Sequence, residues 1–146
     1  MPGPILIIED DPDIAEVLSY SFVNLNFKTR VALTGEEGLA ASLDKHDPPS
    51  IILLDLLLPG MSGFELCRRL RSEVLTRLTP IVVVTAKASE LDIATGQQLG
   101  VNDYILKPFS IREVIERVNS LLHARYESAH THQDSQRFPL NGGTLT

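Results

Sequence analysis

Tryptophan is missing altogether, and one cysteine, Cys67, stands alone in 146 residues. A single cysteine excludes an internal disulfide and any metal site built from several thiolates, and it fits a reducing cytosol. Its ordinary role is that of a small apolar core residue. Basic charge is also short, with 13 lysines and arginines against 19 aspartates and glutamates and a formal net charge of −6. Such a chain has no general attraction for nucleic acid or anionic membrane, so binding to either needs another domain. Long hydrophobic runs are lacking too. No apolar stretch nears the ~20 residues needed to cross a bilayer, and no basic region followed by a signal-type apolar segment opens the chain. A soluble cytoplasmic protein is expected. Within these limits the composition is ordinary for a globular protein, 43% hydrophobic and 22% charged. The length suits one domain with a single core, and a tail.

What the chain does have is a set of short apolar runs at residues 5–8, 51–54, 81–84 and 104–106. The first three are continuously apolar and rich in β-branched residues or leucine, as in strands covered on both faces of a parallel sheet. A further run at 27–31 carries Lys28, Thr29 and Arg30 and suits a sheet edge. Between these runs the period becomes helical. In the last segment Ile111, Val114, Ile115, Val118, Leu121 and Leu122 form one stripe. Thr34 with Glu37, Ser62 with Glu65, and Ser110 with Glu113 have capping-box spacing, in which a hydroxyl and a carboxylate satisfy the free amides of a first helical turn. Asp11 before Pro12 opens the first helix in the same spirit, and Ile14, Val17, Leu18, Phe22 and Leu25 are assigned to its buried face. Strand and helix therefore alternate five times, which predicts an open, doubly wound α/β sheet with helices on both faces. After Arg125 the pattern stops. Residues 126–146 are polar and read as linker or tail, with His130 and His132 as solvated side chains rather than metal ligands.

In open α/β sheets the site forms at the carboxyl ends of the strands, and the sequence marks that edge. The run at 5–8 ends in Glu9, Asp10 and Asp11, that at 51–54 in Asp55, that at 81–84 in Thr85, and that at 104–106 in Lys107 before Pro108. Taken singly, Asp11 is a helix cap, Asp55 a turn residue and Lys107 a surface charge. Taken together, acids, a hydroxyl and an amine at separate strand ends are hard to explain as packing. Close carboxylates repel by a few kcal/mol per pair at an effective dielectric of ~20, so a cation belongs among them. A hard divalent ion with oxygen ligands, Mg2+ or Mn2+, fits.

These residues resemble the receiver domain of bacterial two-component response regulators. The likeness spans residues 4 to about 125 and rests on Ile7-Ile8-Glu9-Asp10-Asp11, Leu53-Leu54-Asp55 through Gly63, Val83-Val84-Thr85-Ala86, and Gly100-Val101-Asn102-Asp103-Tyr104-Ile105-Leu106-Lys107-Pro108-Phe109. It implies a flavodoxin-like (βα)5 fold with strand order 2-1-3-4-5. It implies Asp55 as phosphoacceptor, Asp10, Asp11, Asp55 and the main-chain carbonyl of Leu57 as metal ligands, Thr85 and Lys107 as partners of phosphoryl oxygens, and a cis Lys107–Pro108 bond. Thr85 and Tyr104 would form the switch pair, and Leu57 and Lys87 occupy positions that influence the lifetime of the phosphorylated state. The donor would be a sensor histidine kinase, and the domain would phosphorylate itself once per cycle rather than turn over a substrate.

The stretch from Lys107 to Val114 with Arg117 is similar to the OmpR/PhoB-type subfamily. That likeness implies a homodimer through the fourth helix, fifth strand and fifth helix, with Asp103, Arg112 and Arg117 as interface charges and Asn102 as a departure from the usual Asp. The segment 138–146 is similar to the opening strand of a winged-helix DNA-binding domain. The expected division is thus residues 1–125 as receiver and 126–146 as linker leading toward a DNA-binding effector domain that this chain does not carry. A phosphatase resembling the haloacid dehalogenases also uses a strand-end Asp, a Lys and Mg2+, but its Asp-x-Asp is lacking, since Leu56 and Leu57 follow Asp55. A receiver-like module that binds proteins without phosphorylation is disfavoured by the intact acidic cluster and Lys107.

Overall fold

The computed structural model of the chain describes residues 3–87 and 89–134. Its strands are β1 (Ile5–Ile8), β2 (Thr29–Ala32), β3 (Ile51–Leu54), β4 (Ile81–Thr85) and β5 (Asp103–Leu106). They alternate with α1 (Pro12–Val23), α2 (Gly35–Ser42), α3 (Gly63–Ser72), α4 (Glu90–Gln98) and α5 (Ile111–Asp134). Every residue of β1, β3 and β4 is buried, as their unbroken apolar sequences require of strands covered on both faces. The five strands lie in the order β2-β1-β3-β4-β5, all neighbours parallel. β2, with its Thr29 and Arg30, takes the edge where polar residues are tolerated.

Side chains alternate between the two faces of the sheet. Ile5, Ile7, Leu53, Val82, Val84 and Ile105 pack against Leu18 and Phe22 of α1 and Val114 and Val118 of α5. Leu6, Ile8, Ile52, Leu54, Ile81 and Val83 pack against Leu66, Cys67 and Leu70 of α3. Each such aliphatic side chain contributes about 1.5–3 kcal/mol by leaving water. Cys67 is fully enclosed, and burial pushes its thiol up to about 12, so it is the inert core residue that the sequence predicts.

The helix starts follow the expected chemistry. Thr34, Ser62 and Ser110 accept the N–H of Glu37, Glu65 and Glu113 at 3.1, 3.1 and 3.0 Å. A fourth cap went unread: Ser89 accepts the Asp92 N–H at 3.0 Å, with Asp in place of the usual Glu. The buried face of α1 is Ala15, Leu18 and Phe22 with Ile14 packed beside them, as expected for all but Ala15, whereas Val17 is 48% exposed and Leu25 lies past the helix end. At 100° per residue Val17 stands a quarter turn off the Leu18 stripe, which the apolar count alone ignores. α5 continues to Asp134, beyond Arg125 where its apolar stripe ends. Among the described residues no helix is long and apolar enough to cross a membrane.

The Asn102 side-chain oxygen accepts the Ile81 N–H at 2.8 Å and the Arg71 guanidinium at 3.2 Å. Arg71 also donates to the carbonyls of Thr79 and Gly100, each at 2.8 Å. The asparagine therefore ties α3 to the start of β4, a local task that needs a carbonyl acceptor.

α3 begins directly on the loop that follows β3. A Cβ at Gly63 would lie 2.5 Å from the Leu56 Cα and 2.8 Å from the Asp55 carbonyl oxygen. Because those atoms are backbone, they cannot step aside. Gly63→Ala is expected to lower stability by about 1–3 kcal/mol in urea unfolding, and an unchanged midpoint would contradict this packing.

Candidate functional site

Parallel register brings the carboxyl ends of β1 and β3 level. Ile8 pairs with Leu54, so the next residue on each strand, Glu9 and Asp55, emerge side by side. The Asp55 N–H still bonds to the Ile8 carbonyl at 3.0 Å and the Glu9 N–H to Ala32 at 3.0 Å, which holds both backbones in the sheet. Both side chains are buried, Glu9 at 2% and Asp55 at 4% exposure. Two acids that close need a countercharge, and Lys107 supplies it. Its Nζ lies 2.8 Å from Glu9 Oε1 and 2.8 Å from Asp55 Oδ2. Lys107 is presented by the end of β5, where its N–H bonds to the Thr85 carbonyl at 2.8 Å and the bond to Pro108 is cis.

The other oxygen of each carboxylate is also bonded. Glu9 Oε2 accepts the Asp11 N–H at 3.1 Å, and Asp55 Oδ1 accepts the Leu57 N–H at 3.0 Å. Burial raises the Glu9 carboxyl above its ordinary range, opposed by the hydrogen bonds from Lys107 and Asp11 and assisted by the Asp55 charge. For Lys107 burial alone would lower the value, but hydrogen bonds to Asp55 and Glu9 outweigh it and hold the amine protonated. The lysine is thus a fixed positive charge against two buried acids.

Carboxylate oxygens of Glu9, Asp10 and Asp55 all lie within 4.8 Å of one another. One lysine against three acids leaves an excess of negative charge and a set of hard oxygen donors, the chemistry that suits Mg2+ or Mn2+. Of the expected metal set, Asp10 and Asp55 lie in this cluster and Asp11 does not. Asp11 is exposed, and its Oδ1 accepts the N–H groups of Asp13 and Ile14 at 2.9 and 3.4 Å as the cap of α1. Pro12 starts the helix there, so the Asp11 side chain is drawn to the free amides of the first turn. Glu9 takes its place in the cluster. The signal was available: Glu9 and Asp55 are each the first residue after strands that the pattern pairs.

Thr85 is fully buried, and its Oγ1 accepts the Lys87 N–H at 3.3 Å, leaving its own hydroxyl proton for another acceptor. The Tyr104 hydroxyl donates to the Lys87 carbonyl at 2.6 Å. Burial, and then the charges of Asp92 and Asp55, raise the Tyr104 phenol above its ordinary value. Of the interface candidates, Arg117 is bonded within the chain to Asp103 and lies 3.6 Å from Glu113, while Arg112 is exposed on α5. The side chains of His130 and His132, and residues 135–146, lie outside the described residues.

Residues 5–119 match the family described as the response regulator receiver domain. The chain is 38% identical over 118 residues to the response regulator ArlR of Staphylococcus haemolyticus, covering 81% of this chain and 52% of that protein. It is 39% identical over 118 residues to the DNA-binding response regulator MtrA of Mycolicibacterium smegmatis, covering 81% and 50%. The chain therefore spans about half the length of the curated relatives it matches. In structure it is similar to a CheY-like receiver domain protein from Methanospirillum hungatei, with a TM-score of 0.81 and 26% identity over 88% of this chain and 99% of the other.

An ion that binds only the folded arrangement raises stability by about 2.7 kcal/mol at a hundredfold excess over its Kd. Mg2+ is expected to raise the melting temperature of the wild type at neutral pH, and Asp10→Asn to lose most of that rise. A melting temperature that does not respond to saturating Mg2+ would contradict the metal assignment.

Proposed function

The chain belongs to the response regulator receiver domain family, and from that premise we propose that Asp55 accepts a phosphoryl group from a phosphohistidine on a sensor histidine kinase. The observation that carries this reading is the Lys107 ammonium at 2.8 Å from Asp55, beside the acidic oxygens of Glu9 and Asp10. A carboxylate oxygen of Asp55 attacks phosphorus, the bond to the donor nitrogen breaks, and an acyl phosphate results. Lys107, already charged, turns from the Asp55 oxygen to a phosphoryl oxygen. Thr85 donates its hydroxyl to another. Asp10, Asp55 and the Leu57 carbonyl are the proposed metal ligands, with Glu9 beside them. When bound, Mg2+ supplies charge neutralisation for the acids and the transferring group. Water later hydrolyses the acyl phosphate, so each cycle returns the same protein rather than a turned-over substrate.

The burial of Asp55 at the foot of this cluster supports a protected phosphoryl site. Output is proposed to run through α4, β5 and α5, with Tyr104 following Thr85 as the switch. A homodimer through that face fits the OmpR/PhoB-type likeness, and the Asp103–Arg117 bond made within the chain leaves Arg112 as the free basic candidate. With residues 1–125 as the receiver and 126–146 as a linker, transcriptional control would act through a DNA-binding domain beyond this chain, as the name of the MtrA relative suggests.

Acetyl phosphate with Mg2+ tests the reading by intact-protein mass spectrometry. The wild type should gain one phosphoryl mass and Asp55→Asn none. No gain on the wild type, equal gain on Asp55→Asn, or sustained multiple turnover of a phosphomonoester would overturn it.

A further inference from the structure

The side chain of Lys87 makes none of the contacts of the phosphoryl site. Lys87 lies in the loop between β4 and α4, yet its ammonium is held from two other elements. It stands 5.4 Å from the ring centre of Phe64 on α3 and 3.6 Å from Asp92 Oδ1 on α4. Asp92 is in turn fixed by Ser89, whose hydroxyl donates to Asp92 Oδ2 at 2.7 Å while accepting the Asp92 N–H. The Lys87 backbone is bonded on both sides, by its N–H to Thr85 Oγ1 at 3.3 Å and by its carbonyl to the Tyr104 hydroxyl at 2.6 Å.

Those two backbone groups belong to the peptide units on either side of the Lys87 Cα. Each unit is planar and moves as a plate, and rotation at the Cα is the soft degree of freedom between them. A long bond at Thr85 and a short one at Tyr104 make this residue the pivot between the two side chains. If the Cα is unanchored, a tilt of the first plate is absorbed by rotation. If its side chain is anchored, the tilt passes on. We propose that Lys87 is a positioning residue whose side chain, held by Asp92 and Phe64, fixes the pivot through which Thr85 acts on Tyr104. This rests on the receiver reading and adds the route by which the site reaches β5. A partly exposed ion pair and a cation–ring contact add little to stability, so melting temperature is the wrong readout and a spectroscopic one is needed.

The experiment is 19F NMR of the full chain labelled with 3-fluorotyrosine, the Tyr104 resonance being assigned from Tyr104→Phe. Spectra are compared in Mg2+ alone and in Mg2+ with beryllofluoride. The wild-type Tyr104 resonance should shift on adding beryllofluoride, and Lys87→Gln and Asp92→Asn should each lose most of that shift. The double variant should lose no more than either alone, and Lys87→Arg, which keeps charge and ring contact, should retain it. A wild-type shift in Lys87→Gln, or losses that add in the double variant, would overturn the proposal. A silent Tyr104 in wild type that still labels on Asp55 with acetyl phosphate overturns the pivot and leaves the receiver reading intact. A wild type that neither responds to beryllofluoride nor labels overturns both.

Discussion

One lysine between two buried acids holds the carboxyl edge of this sheet together. Lys107 reaches Glu9 and Asp55 at the same 2.8 Å, and both acids are buried. Without the ammonium, side chains from β1 and β3 would repel each other in a place from which water is largely excluded. With it, the arrangement tolerates negative charge yet stays short of neutral, because Asp10 adds a third carboxylate. That residual negative charge suits a divalent cation.

The rest of the fold serves to bring those groups level. The parallel register places Glu9 beside Asp55, the β4–β5 pairing places Lys107 beside Thr85, and two apolar layers clamp the sheet between α1 and α5 on one face and α3 on the other. Gly63 lets α3 start against the Asp55 loop without a gap. In the loop after β4, the Lys87 backbone is hydrogen-bonded both to Thr85 of β4 and to Tyr104 of β5.

Much of this was legible beforehand, for identifiable reasons. Short unbroken apolar runs rich in β-branched residues and leucine suit strands covered on both faces, and hydroxyl caps three residues ahead of a carboxylate mark helix starts by local chemistry. The strand order, which neither signal contains, came from the family likeness. What the sequence hid lies in orientation. Asp10 and Asp11 are adjacent acids, and only the direction of the chain at Pro12 sends one toward the cluster and the other onto the helix amides. Val17 was assigned to a buried stripe that the helical angle denies it. Asn102 stands out in the sequence only as a departure from the subfamily's Asp, and nothing there shows that its oxygen serves Ile81 and Arg71. Each miss concerns where a side chain points, which composition and spacing leave open.

The central claim is that Lys107 exists to reconcile Glu9 with Asp55, and a double-mutant cycle in metal-free buffer at pH 8 reads it directly. Lys107→Met should lose roughly 3 kcal/mol by leaving the buried acids without a countercharge, and adding Asp55→Asn to it should restore a large part of that loss. Losses that simply add, or a Lys107→Met protein as stable as the wild type, would contradict the account.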